Sequence, residues 1–149
     1  MTNEFKIKTD KCELSKRVRA VIGVPLEFLE DDVIFSPVFI KKTEAYINRR
    51  IKEYLETINV GDQMLDIASV YYIAYLLCSG MDARLPKQMD NISTKTILQS
   101  ISWDKKAMEF LDQCGETIDQ LLEEYNVEET FSLTFADISA EQSYPESNV

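Results

Sequence analysis

One segment of the chain is apolar on nearly every side at helical spacing, while the segments around it are apolar on one face only. It runs from Asp62 to Cys78 and contains the stretch Ile67-Ala-Ser-Val-Tyr-Tyr-Ile-Ala-Tyr-Leu-Leu-Cys78. A helix that is apolar all round must be surrounded by protein. We therefore predict a small helical domain with this helix at its centre and Asp62 as its N-cap.

A first amphipathic helix is predicted from about Lys11 to Ile22. Asp10 is its expected N-cap, Glu13 completes a capping box, and Gly23 ends the helix. The predicted buried stripe consists of Leu14, Val18, Val21 and Ile22, and the predicted outer face is basic, with Lys11, Lys16, Arg17 and Arg19.

A second amphipathic helix begins at Ser36-Pro37, because serine caps free amides and proline is favoured at the first helical position. Its apolar residues recur at i, i+3, i+4 and i+7 and predict a helix that extends to about Ile58. These residues are Ile40, Ile47, Ile51, Tyr54, Leu55 and Ile58.

The last helix is predicted from about Trp103 to Tyr125, with a mostly acidic outer face. Gly115 falls inside it, at a cost of about 1 kcal/mol relative to alanine. The predicted buried face consists of Ala107, Phe110, Leu111, Cys114, Ile118, Leu121, Leu122 and Tyr125.

After Asn126 the apolar period changes to two, at Phe131, Leu133 and Phe135, which predicts a strand. A lone strand needs a partner, either a hairpin arm around residues 94–101 or another chain. The chain is thus divided into a helical domain, 1–126, with a loop or hairpin arm near 81–102, and a C-terminal strand with an extended tail, 127–149.

Composition agrees with an all-α fold, a bundle of about four helices around the buried central one, with a β-like arm. The chain has 149 residues, enough for one domain, and only four glycines and four prolines. Residues 1–60 hold 11 basic and 10 acidic side chains, whereas residues 61–149 hold 5 and 16. The second half should therefore repel phosphate and disfavour sequence-independent nucleic-acid binding.

The N-terminus, Met1-Thr-Asn-Glu-Phe-Lys-Ile-Lys8, is polar and gives no secretory signal, so we expect a cytoplasmic protein. The longest apolar run is too short to cross a bilayer, and no membrane association is expected. Cys12, Cys78 and Cys114 form no C-x-x-C pair and are predicted to be reduced, packed thiols.

The chain lacks the residues that most catalytic sites need. It has no histidine, which removes Ser-His and Cys-His nucleophile pairs and the commonest metal ligand. It also has neither phosphate-binding glycine motif. We predict no enzyme, no catalytic residue, no metal and no cofactor.

Three further constellations each have two interpretations. Glu30-Asp-Asp32 suggests a cation site, but it lacks the spacing of a calcium loop, and a capping or solvated turn is favoured. Tyr71, Tyr72 and Tyr75 suggest a base-stacking platform, but core packing is favoured. Arg49-Arg50 is equally compatible with a partner interface and with an exposed helix face.

Four segments in a fixed order carry a family resemblance over residues 12–80: Arg19-Ala-Val-Ile-Gly-Val-Pro25, Glu30-Asp-Asp-Val-Ile34, Glu44-Ala-Tyr-Ile-Asn-Arg-Arg-Ile51 and Ala68-Ser-Val-Tyr-Tyr-Ile-Ala-Tyr-Leu-Leu77. This order resembles the head-tail connector, or portal adaptor, family of tailed bacteriophages and prophages. These are small helical head-completion proteins that lie below the portal ring.

The resemblance implies a structural protein of the virion neck, assembled in the host bacterial cytoplasm. Its implied partners are the portal protein, copies of itself in a ring that is usually a dodecamer, and a tail or neck completion protein. DNA would pass through the ring during packaging and ejection without specific binding.

Two sets of residues are candidate sites under this interpretation. The candidate partner interface consists of Arg49, Arg50, Phe131, Leu133 and Phe135, with the strand as an arm that completes a sheet on a neighbour. The candidate channel wall, which would repel the DNA backbone, consists of Glu109, Asp112, Glu116, Asp119 and Glu123.

The alternative function is a small helical regulator or adaptor that binds nucleic acid or an acidic protein through its basic first helix. Nucleic-acid binding of that kind would depend steeply on salt, whereas a connector should ignore nucleic acid and bind a portal.

Overall fold

The structure, a computed structural model, describes residues 4–24, 26, 29–54, 57–81 and 101–141, with the backbone alone for 126–141. The described residues form an all-α bundle of five helices. They are α1 (Lys11–Ile22), α2 (Asp31–Ile34), α3 (Pro37–Arg50), α4 (Gln63–Cys78) and α5 (Trp103–Glu141), with a single 3₁₀ turn at Lys52–Tyr54.

Helix α4 is the centre of the bundle, as its all-round apolar pattern predicts. It packs against α5, α1 and α3. Asp62 is its N-cap and accepts a hydrogen bond from the Met64 N–H at 2.8 Å. Its fully buried side chains occur on several faces and include Leu65, Ile73 and Leu77, each 0% exposed.

Helix α1 has the predicted bounds and both predicted ends. The Asp10 carboxylate accepts from the N–H groups of Cys12 and Glu13, at 3.1 and 3.4 Å. Gly23 ends the helix at φ 85°, in the left-handed region that favours glycine. The Glu13 carboxylate accepts from Arg17 Nε at 3.1 Å and does not close the predicted capping box with the Asp10 N–H.

Helix α3 begins at Pro37, as predicted, but it ends at Arg50 rather than near Ile58. The chain then makes the 3₁₀ turn, and the Ile58 N–H donates to the Tyr54 carbonyl at 2.8 Å. Leu55, also predicted on the apolar face, lies outside the described residues. Ile51 and Ile58 are nevertheless buried, at 0% and 4% exposure. The apolar spacing of these residues therefore predicts correctly that they are buried. It does not require a continuous helix, because a tighter turn can bury the same side chains.

Helix α5 begins at Trp103, as predicted, passes through Gly115 without a break and continues to Glu141. The strand predicted at 131–135 is therefore wrong, because the backbone there is helical. A helix satisfies its own backbone hydrogen bonds, whereas a lone strand requires a partner ladder. The predicted arm near 81–102 and the tail beyond 141 lie almost entirely outside the described residues.

An N-terminal segment that sequence patterning did not assign is bound to α3. The Phe5 N–H donates to Asn48 Oδ1 at 2.7 Å, and Asn48 Nδ2 donates back to the Phe5 carbonyl at 3.0 Å. Two residues on, the Ile7 N–H donates to Glu44 Oε2 at 2.8 Å. Phe5 is 1% exposed and completes the core around Ile47.

Candidate functional site

One residue of the candidate partner interface contacts one residue of the candidate channel wall. The contact lies where the end of α3 meets the middle of α5. Arg50 Nη2 donates to Asp119 Oδ1 at 2.5 Å, which joins a candidate interface residue to a candidate channel residue. Gly115 lies beside this contact, and a Cβ there would make an ordinary van der Waals contact with Arg50 Nη1 at 3.8 Å. The sequence contains no signal for the pair, because the two residues are 69 positions apart.

Tyrosine rings pack beside this ion pair. Arg50 Nη1 donates to Tyr46 Oη at 3.4 Å, and the guanidinium carbon lies 6.0 Å from the centre of the Tyr46 ring. The Tyr46 ring stacks on Tyr72, with centroids 4.3 Å apart. Burial raises the pKa of both tyrosines, so their hydroxyls remain protonated at neutral pH.

The three tyrosines of α4 pack on aromatic neighbours, in agreement with the favoured core interpretation. Tyr72 stacks on Tyr46 and lies tilted against Tyr75, with centroids 5.4 Å apart. Tyr71 stacks on Phe110 at 6.3 Å. These rings are half-buried, and each one has a neighbouring aromatic ring packed against it, so they do not form an open platform for bases.

The candidate channel residues form one continuous surface, which we call the acidic stripe: Glu109, Asp112, Glu116, Asp119 and Glu123, all exposed. Their spacing of three and four residues places them on one face of α5, opposite to the buried Cys114, Ile118 and Leu121. At a rise of 1.5 Å per residue, the stripe is about 21 Å long.

The candidate interface residues occupy different environments. Arg49 is exposed on α3, whereas Arg50 is half-buried against α5. Phe131, Leu133 and Phe135 belong to the helical backbone of α5, so the strand that was predicted to complete a sheet is not formed there.

The basic face predicted for α1 is largely neutralised within the chain. Lys11 pairs with Asp32, and Arg17 pairs with Glu13. Arg19 was predicted on the outer face, but its side chain is only 13% exposed. Its Nη1 donates to Asp31 Oδ1 at 2.6 Å and to the Leu29 carbonyl at 3.1 Å, because α2 packs against that flank of α1.

The acidic turn therefore serves as the counterpart of these cations. Asp31 and Asp32 lie in the first turn of α2, where negative charge is favourable, and each accepts from a basic residue of α1. Across the described ranges, no group of three or more acidic or cysteine side chains is arranged to hold a metal ion.

Two of the three cysteines are packed as predicted. Cys78 and Cys114 are buried, and burial raises their pKa values to about 11 and about 12. Cys12 is exposed in the first turn of α1, so the prediction of a packed thiol is wrong there. The first turn is polar on that side, and the buried stripe begins two residues later at Leu14.

Sequence patterning also missed an apolar groove of about 260 Å³ between α1 and α4. It is lined by Arg17, Ala20, Val21, Ile67, Val70 and Tyr71. Ile67 is 42% exposed, whereas the other large apolar residues of α4 are mostly covered. This exposed side chain marks the position of the groove.

Comparison of the chain with protein-family models, with curated proteins and with solved structures finds no match. Within the part of the chain that the structure describes, none of the helices is both long enough and apolar enough to cross a membrane.

Proposed function

We propose that the protein is a head-tail connector: a structural virion protein that forms a ring under a portal and joins the capsid to the tail. Its partners in this proposal are the portal protein, further copies of the chain and a tail or neck completion protein. DNA passes through the ring's centre without specific binding. The order of segments over residues 12–80 is the sequence basis of the proposal.

The distribution of exposed charge is the structural observation that carries it. The acidic stripe extends for about 21 Å along α5, and the chain as a whole has a net charge of -10. Such a surface repels the phosphate backbone, so DNA can move past it without adhering. A ring built from this chain is acidic overall, so the repulsion of phosphate does not depend on the stripe itself facing the channel.

The state of α1 argues against the alternative function, a regulator that binds nucleic acid through its basic first helix. Three of the four cations on that helix are already in ion pairs with Glu13, Asp31 and Asp32. Phosphate would have to displace these carboxylates, whereas an effective nucleic-acid surface releases counterions from free cations. Of the four, only Lys16 has no ion pair among the described residues.

The proposal is tested by measuring the mass of the full chain by light scattering, alone and mixed with the portal protein from the same genome. We expect a complex of portal and chain with the mass of a ring. A monomer or dimer that does not bind the portal overturns the proposal.

A parallel titration of double-stranded DNA separates the two functions. A connector gives no binding that depends on salt. A steep loss of affinity as salt rises from about 50 to about 200 mM would favour the regulator.

A further inference from the structure

The outward face of α3 carries a stripe of cations around small and apolar residues. We call this the basic stripe: Val38, Lys41, Lys42, Ala45, Arg49 and, in the following 3₁₀ turn, Lys52. All six are exposed, and Val38 is 57% exposed. At about 100° per residue, the stripe lies opposite to the buried Thr43 and Ile47.

The cations of the basic stripe have no ion-pair partner in the part of the chain that the structure describes. Among the described residues, no carboxylate forms an ion pair with Lys41, Lys42, Arg49 or Lys52, in contrast to Arg50 on the inner side of α3. Four cations and an exposed valine, with no carboxylate of the described ranges paired to them, therefore form a face suited to a partner of opposite charge.

The acidic stripe of α5 matches the basic stripe in length and spacing. The acidic stripe advances by three and four residues throughout, and the basic stripe does so except at the adjacent Lys41 and Lys42. Each extends over 14 residue steps, which for the acidic stripe is about 21 Å of helix. Met108, 53% exposed beside Glu109, supplies an apolar side chain to match Val38. Apart from Asp119, which pairs with Arg50 on the inner side of α3, the acidic stripe forms no ion pair with α3 among the described residues.

We propose that the basic stripe of α3 binds the acidic stripe of α5 on a second copy of the chain. This inference rests on the proposed ring-forming function and names the subunit contact. The Arg50–Asp119 pair shows the same guanidinium–carboxylate chemistry between α3 and α5 inside one chain. Complementary stripes of this kind set the register of two surfaces and exclude wrong partners.

The two stripes are different surfaces of the same chain, so the contact is heterologous. Each copy that uses its basic stripe still has a free acidic stripe, and each added copy does the same. A heterologous contact closes into a ring when its rotation permits. A symmetric dimer that uses one patch twice does not follow from this arrangement.

Charge reversal tests the contact in the full-length protein. One variant reverses the basic stripe by Lys41→Glu, Lys42→Glu and Arg49→Glu. The other reverses the acidic stripe by Glu109→Lys, Asp112→Lys and Glu116→Lys. A control with the same charge change as the first variant, Lys6→Glu, Lys8→Glu and Lys16→Glu, alters exposed lysines outside both stripes.

Self-association is measured by sedimentation equilibrium, with circular dichroism to show that each variant is folded. We expect each stripe variant alone to weaken association by about tenfold or more, and the control to leave it within about twofold. Mixing the two stripe variants should restore association, because each then presents the charge that the other needs. Association of the unaltered chain should also weaken as salt rises from about 50 to about 500 mM.

Cross-linking checks the geometry independently of charge. Ala45 and Glu116 are the midpoints of their stripes, so they approach each other whether the helices run parallel or antiparallel. In a Cys12→Ser background, Ala45→Cys and Glu116→Cys together should give intermolecular products with a short bismaleimide. The pair Ala20→Cys and Glu116→Cys, with Ala20 on the exposed face of α1, should not.

The outcomes separate the contact from the function. An unaltered chain that stays monomeric at its highest soluble concentration, or stripe variants whose mixture does not reassociate, overturns the contact. Neither result overturns the connector proposal, which is tested separately by the mass measurement with the portal protein. Stripe variants that assemble normally on the portal but change DNA retention overturn the contact and assign the acidic stripe to the channel wall.

Discussion

The Arg50 guanidinium donates to the Asp119 carboxylate at 2.5 Å and lies 3.8 Å from where a Cβ would stand at Gly115. The pair joins the end of α3 to the middle of α5. Gly115 presents no side chain beside the guanidinium, and the Tyr46 hydroxyl accepts from its second terminal nitrogen. A residue predicted for a partner and a residue predicted for a channel thus contribute to the packing of one chain.

The Arg50–Asp119 pair should contribute little to stability, because its side chains are 35% and 61% exposed. A double-mutant cycle with Arg50→Ala and Asp119→Ala should give a coupling free energy of about 0.2–1 kcal/mol by urea denaturation. Added salt should reduce that coupling. The matched cycle with Arg49→Ala, on the outer side of α3, should give none. An equal coupling for Arg49 would contradict the geometry.

Two glycines should respond in opposite directions to replacement by alanine. Gly115 lies inside α5 without a positive φ, and its new Cβ would make ordinary contacts with Arg50 at 3.8 and 4.0 Å. Gly115→Ala should therefore stabilise the protein by up to about 1 kcal/mol, since alanine is the better helix former. Gly23→Ala should destabilise the protein by about 1 kcal/mol, because a residue with a Cβ is strained at φ 85°.

The midpoints of urea denaturation check both glycine variants. Each variant is the control for the other, because both add the same methyl group and only the backbone conformation at the substituted position differs. A loss of stability for Gly115→Ala would contradict the ordinary contact distances between the added Cβ and the Arg50 guanidinium.

Two buried serines offer a matched comparison of satisfied and unsatisfied hydroxyls. Ser15 in α1 and Ser69 in α4 are 0% and 1% exposed. Ser69 Oγ donates to the Leu65 carbonyl at 2.8 Å, whereas Ser15 Oγ has no hydrogen-bond partner among the described residues. Ser69→Ala should cost about 0.5–1.5 kcal/mol, while Ser15→Ala should be neutral or stabilising. Thermal unfolding distinguishes the two, and an equal loss for both would show that Ser15 has a partner after all.

Features with local physical causes were predictable from the sequence. Asp10 and Gly23 mark the two ends of α1, and both ends were predictable because N-capping and left-handed backbone geometry each depend on a single residue. Pro37 predicts the start of α3 because its fixed φ suits the first helical position, although the Ser36 side chain forms no capping hydrogen bond. The all-round apolar pattern of α4 predicts its central position without knowledge of its neighbours, because no other environment would accommodate it.

Features that depend on distant contacts were not predictable. Burial of Phe5 depends on Asn48, which is 43 positions away, and the position of Arg50 depends on Asp119. The error at 131–135 has a related cause: five residues of alternating polarity predict a strand only if a partner strand exists. The end of α3 was misplaced because apolar spacing predicts which side chains are buried, and Ile58 is buried through a turn.

The three thiols should differ sharply in reactivity. Cys12 is exposed, whereas Cys78 and Cys114 are buried. Because the thiolate is the reactive form, a folded chain at about pH 8 should react with a maleimide or disulfide reagent at Cys12 alone. Denaturant should expose all three. Rapid reaction of a second thiol in the folded chain would contradict the packing around α4 and α5.

The same burial makes stability depend on pH in the alkaline range. The ordinary thiol pKa is 9.0, and burial raises it to about 11 at Cys78 and about 12 at Cys114. The folded state therefore holds these protons more tightly than the unfolded state. Their contribution to stability is fully present below about pH 9 and is lost as pH rises through the folded values.

The free energy of unfolding should therefore fall as pH rises above about 9, by at most about 1.4 kcal/mol per pH unit for each thiol. Tyr46 and Tyr72 also have raised pKa values and act in the same direction, so the comparison needs a variant. Cys78→Ala with Cys114→Ala should lower stability at pH 7 by creating cavities and should also flatten its decline between about pH 9 and 11. Urea denaturation across that range measures both effects, and an unchanged slope would show that the buried thiols do not titrate on unfolding.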